Sequence, residues 1–155
     1  ASARVLLAAP ANTTESNDTA EFDVRVLAVS VLVSIVEQVG SAAASELLLD
    51  KNHGGERLLS LSDHARQLAT QNGAPEEGAA RLLEHRVFAG YVALLMGVLM
   101  RHDGDFDSLV RTKVSYVDKL ADALEQFLAF QAELGIDAEH IQEMYARTIS
   151  HLKLR

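Results

Sequence analysis

The chain has no cysteine and no tryptophan, and aromatic residues make up only 5% of it. Without cysteine there are no disulfides and no thiolate chemistry. With so few rings, the 48% hydrophobic fraction has to fill a core with aliphatic residues and alanine, a composition that favours helices over sheets. Cations are scarce too: 14 Lys and Arg stand against 22 Asp and Glu, for a formal charge of -8. A surface this acidic repels a phosphate backbone unless its cations cluster, and along the chain they are scattered. Direct DNA or RNA binding is not expected; solubility or a basic protein partner suits the balance better. Long hydrophobic runs are also missing. The apolar stretches near 24–36 and 87–100 fall short of the roughly 20 residues that a membrane span needs. No signal peptide is evident, so the sequons at Asn12 and Asn17 read as chance. The expectation is a soluble, intracellular protein that uses no membrane, and the start at Ala1 suggests a piece of something longer.

What is present is one domain's worth of helix-forming sequence, 155 residues in all. Residues 1–20 read as an N-terminal loop or extension, with a short apolar piece, Pro10 and a polar run. Residues 21–155 read as a single helical domain. Phe22 to Val39 is valine-rich enough to suggest a strand, yet it runs too long without a breaker and reads as a mostly buried helix. Gly40 and Ser41 end or bend it before a short helix from Ala42 to Leu49. Asn52-His-Gly-Gly55 is a break. Glu56 to Gln71 carries Leu58, Leu61, Ala65 and Leu68 at spacings of three and four. Asn72-Gly-Ala-Pro75 then stops that helix.

The most informative stretch follows. Val87-Phe-Ala-Gly-Tyr-Val-Ala-Leu-Leu-Met-Gly-Val-Leu-Met100 carries no charge, and Ala89, Gly90, Ala93 and Gly97 recur at helical spacing. A helix like this is buried on nearly all sides, with a neighbour pressed against its small face. A turn at His102-Asp-Gly-Asp105 leads into a short helix over 106–117. Lys119 to Leu134 is amphipathic through Leu120, Leu124, Phe127, Leu128 and Leu134, and Gly135 caps it. Asp137 N-caps a last helix carrying Ile141, Met144, Tyr145, Ile149 and Leu152. The pattern predicts an all-α fold of roughly six or seven antiparallel helices. They are read as stacked in a HEAT/armadillo-like helical repeat, with a compact helical bundle as the alternative.

Catalytic constellations are weak. Leu120-Ala-Asp-Ala-Leu124 with Leu134-Gly-Ile-Asp137 resembles part of the MazG-type all-α nucleoside triphosphate pyrophosphohydrolases. Those enzymes hold Mg²⁺ between carboxylates on facing helices. Here Lys119 stands where a glutamate is needed, and the upstream partners would be Gln38 and Ser41. His64 with His102-Asp103 is a poor match to the HD phosphohydrolases, because Asp103 sits in a glycine turn. Arg57 with His64, or Arg147 with His151, could imitate a ribonuclease pair but lacks a supporting polar residue. His53, His64, His85, His102, His140 and His151 fall at helix ends, loops or polar faces and form no metal set. No cofactor, metal or enzymatic activity is expected; the alternative function is a MazG-like all-α nucleoside triphosphate pyrophosphohydrolase, active or degenerate.

Three segments together resemble the C-terminal part of the Wapl (wings-apart-like) family of cohesin release factors. Val87 to Leu99 is similar to that family's Ala-small-Tyr and Ala-Leu-Leu-x-Gly-x-Leu wording. Leu124-Glu-Gln-Phe-Leu-Ala-Phe130, followed by Met144 to Leu152, resembles its closing helices. Val26 to Glu37 looks like its leucine-rich helix ending in Asn-Leu-Val-Glu. The loop Asp103-Gly-Asp-Phe106 keeps part of a Gly-Asp-Phe turn. The resemblance implies a non-enzymatic interaction module, nuclear, that helps release cohesin from chromatin. Its implied partners are the cohesin ATPase heads and the HEAT-repeat regulatory subunits. By position it points to Leu83, Glu84 and Val87 as partner-binding residues, so charge reversal at Glu84 is expected to weaken binding. Leu83 and Val87 share a face by four-residue spacing and read equally well as core.

Overall fold

The computed structural model describes residues 15–48, 54–70, 77–136 and 139–154. Among them are seven helices and no strand: α1 (Glu15–Val39), α2 (Ser41–Leu48), α3 (Gly54–Thr70), α4 (Glu77–His102), α5 (Gly104–Lys113), α6 (Val117–Glu133) and α7 (Glu139–Leu152). The all-α expectation holds. Helix α1 begins at Glu15, inside the stretch read as loop, because nothing between Glu15 and Phe22 breaks a helix. Gly54 and Gly55, read as part of a break, form the first turn of α3. The break residues Asn52 and His53, the stop at 72–75 and the cap at Asp137 lie outside the described residues.

Helix α4 is the hub. It packs against each of the other six helices, and every residue from Val92 to Met100 is buried. In a linear stack of helix pairs each unit meets only its neighbours. A helix that touches all the others fits the compact-bundle alternative instead. By length and composition Ala80–His102 is apolar enough to cross a membrane. The helix is thus longer than the uncharged run 87–100, and 56% of its most apolar window is buried in the fold, chiefly the part from Val92 to Met100.

The small face of α4 works as its spacing suggests, at two levels. A Cβ on Gly90 would come within 2.6 Å of the Phe127 ring on α6. One on Gly97 would come within 2.4 Å of the Thr148 methyl on α7. Both glycines therefore let a neighbouring side chain touch the α4 backbone. Phe127 also meets Tyr91 edge-on at 4.9 Å between centroids, a favoured aromatic geometry. On α6, Leu120, Ala121, Leu124, Phe127 and Gln131 are buried. Leu134 lies past the helix end and is exposed, because the chain turns at Gly135 with φ +77°. On α7 the buried residues are Tyr145, Thr148 and Leu152. Ile141, Met144 and Ile149 are half-buried.

Polar clasps close the far end of the bundle. Arg101 of α4 donates to Glu37 of α1 and, at 3.3 Å, to the Thr148 hydroxyl of α7. Asp103 caps α5 by accepting from the Phe106 amide at 2.8 Å. Arg111 of α5 donates to the His151 and Leu154 carbonyls, tying α5 to the C-terminal end of α7. None of these contacts between helices had a local signature in the sequence.

A cationic groove beside the central helix

The N-terminal half of α4 is less covered than its C-terminal half, and a groove of about 750 Å³ runs there between α3, α4 and α6. Its origin lies in side-chain size. Ala89, Gly90 and Ala93 leave α4 thin on that side, and α3 and α6 stand as walls. Ser62, Arg66, Ala69 and Thr70 come from α3, at spacings that put them on one helical face. From α6 come Lys119, Asp122, Gln126, Phe127 and Phe130, among others.

Two of the three residues expected to bind a partner line this groove: Leu83 and Val87. Leu83 is 49% exposed, while Val87 is half-buried against the core. Leu83 is thus a surface residue and Val87 is partly core. Glu84 is not among the lining residues. It falls about 100° round the helix from Leu83, on the side away from Arg86. Beside it, burial holds the His85 imidazole below its ordinary pKa; Glu84 opposes this and Arg81 and His64 add to it.

The groove's charges are Arg66, Arg86 and Lys119 against Asp122. Arg66 is held from two sides. It donates to Asp63 at 3.1 Å, and its guanidinium lies over the Tyr116 ring, 4.4 Å from the centroid. The sequence reading missed these cations as a set, because each stands on a different helix. Only the small residues of α4 hint at the groove, and by spacing alone they signal close packing. Both meanings hold, with Phe127 seated on Gly90 and open space beside it.

The other constellations stay apart. Lys119 and Asp122 line the groove. Gln38 and Ser41 flank Gly40, which sits beside His102 at the opposite end of α4. The stretch of α4 between Ala93 and His102 spans roughly 14 Å. His64 is felt by His85, whereas His102-Asp103 lies some 25 Å further along α4. His151 meets Asp107 of α5 at 2.9 Å. Burial pushes the Tyr145 phenol well above its ordinary pKa, but that hydroxyl is in the core. Among the described residues no group of three or more His, Asp or Glu side chains converges as a metal site would require. No protein-family model matches the chain, and no curated protein does either.

Proposed function

We propose that this domain is a protein-docking module whose working surface is the groove between α3, α4 and α6. The observation that carries the proposal is the groove's composition. It combines an apolar floor with a cationic lining on a domain of formal charge -8, with exposed Leu83 at its edge. Concave, largely apolar clefts with a few placed polar groups are where ligands and partners usually bind. The chemistry suits recognition: apolar anchors give affinity and fixed charges give orientation.

The identity of the partner rests on the sequence resemblance alone. On that basis the module belongs to a nuclear cohesin-release system, and its partners are the cohesin ATPase heads or the HEAT-repeat regulatory subunits. The test is capture of purified cohesin subunits by the domain and two variants. Leu83→Asp puts a carboxylate into the groove and should cost at least about tenfold in affinity, equivalent to roughly 1.4 kcal/mol. Glu84→Lys lies outside the groove and should change affinity far less. Equal losses from the two would move the surface from the groove to the outer flank of α4. No capture by the unaltered domain would end the cohesin reading.

A further inference from the structure

Resting on the reading of the groove as a docking surface, we infer that its occupant is a short acidic, aliphatic peptide segment lying along α4 as a helix. The first observation is charge. The domain is acidic as a whole, yet the groove gathers Arg66, Arg86 and Lys119 against the single carboxylate Asp122. Asp63 and the Tyr116 ring engage Arg66. Arg86 and Lys119 are exposed and make no ion pair among the described residues. They come from different helices, Arg86 from α4 and Lys119 from α6, so a chain in the groove meets a cation from each. Screening shortens the reach of exposed charges to roughly 8 Å at physiological salt. The groove's own cations, rather than the net charge of the domain, therefore set which peptide is favoured there.

The second observation is shape. The apolar lining follows α4 from Leu83 through Val87 to Ala93, roughly 15 Å. That is the length of about ten helical residues. Phe127 and Phe130 line the α6 side. Gly90 is covered by the Phe127 ring and Ala93 is buried, so the α4 side chains left for an incoming segment to touch are Leu83 and, in part, Val87 and Ala89. An amphipathic segment with aliphatic residues at spacings of three and four would set them against this floor. Glu or Asp residues on its flanks would meet Arg86 and Lys119. A basic segment would bring like charges against both cations, which penalises it.

The experiment is a random-peptide display selection on the intact chain, followed by affinity measurement on a synthesised winner. The expected winners carry net negative charge and aliphatic residues at helical spacing. Their affinity should fall at least about tenfold with Leu83→Asp, and again with Arg86→Glu combined with Lys119→Glu. All three positions are exposed, and thermal melts of each variant verify that the fold is kept. Winners that are neutral or basic, or none that respond to Leu83→Asp, would overturn the inference. Acidic peptides bound in the groove by a domain that ignores cohesin subunits would overturn the cohesin reading alone. Cohesin subunits captured through Leu83, with the two charge reversals having no effect, would overturn this inference alone.

Discussion

Helices α1 and α4 read almost alike in sequence, and the fold treats them in opposite ways. Both are long, rich in aliphatic residues and nearly free of charge through the middle. Helix α4 is covered on all sides from Val92 to Met100. Helix α1 buries Val29, Val33 and Val36 against the core. It leaves Val24, Leu27, Val31, Ile35 and Val39 exposed along its outer side. Spacings of three and four align those five in a stripe roughly 23 Å long. Apolar content alone tells a helix that it will be buried somewhere, but not on how many sides. That is decided by how many neighbours reach it. Helix α4 has six, whereas α1 packs chiefly on α4 and α2.

The sharpest way to break this comparison is to empty a site on the hub. Leu95 is fully buried in α4, so Leu95→Ala removes apolar contact on every side and leaves a cavity. A loss of about 2–5 kcal/mol is expected, read as a lower urea midpoint with an unchanged slope. A loss under about 1 kcal/mol would mean that α4 is not the centre of packing.

Filling space on α4 should cost less than emptying it, because neighbours can shift. At Gly90→Ala the new methyl would meet the Phe127 ring at 2.6 Å, and overpacking of this kind costs about 1–3 kcal/mol. Gly104 is the internal control: a methyl there meets nothing within 4 Å, so Gly104→Ala should be neutral or slightly stabilising. Gly90→Ala also bears on the groove, because it moves the ring that shares its floor. A variant that keeps stability but loses peptide binding would separate packing from recognition at this position.

Much of this frame was legible in the residues, and what escaped is physically specific. The existence and order of the helices followed from periodicity, which is local, whereas the starts at Glu15 and Gly54 and the end at Lys113 did not. The small face of α4 could be read as a contact surface because glycine and alanine at helical spacing have few other uses. The arrangement round the hub could not, since whether helices stack in a row or gather about one of them depends on crossings between distant segments. The same holds for Glu37 with Arg101, and for Arg111 reaching the end of α7. Leu83 and Val87 were named from a resemblance, and the fold sets them side by side in the groove. Arg66, Arg86 and Lys119 were invisible as a set until α3, α4 and α6 came together.

The smallest expected effect lies on α1, and it is the most discriminating. Leu27 is 64% exposed and Ile35 is 44% exposed. Truncating either to alanine removes little buried surface and keeps or improves helix propensity. Each change should therefore alter stability by no more than about 0.5 kcal/mol. Leucine at position 27 and leucine at position 95 are the same side chain on two similar helices, so the ratio of their costs measures coverage directly. A loss at Leu27 approaching that at Leu95, or a melting temperature that rises with protein concentration, would show that something covers the outer face of α1 in solution. The contrast between the two helices would then describe the isolated chain only.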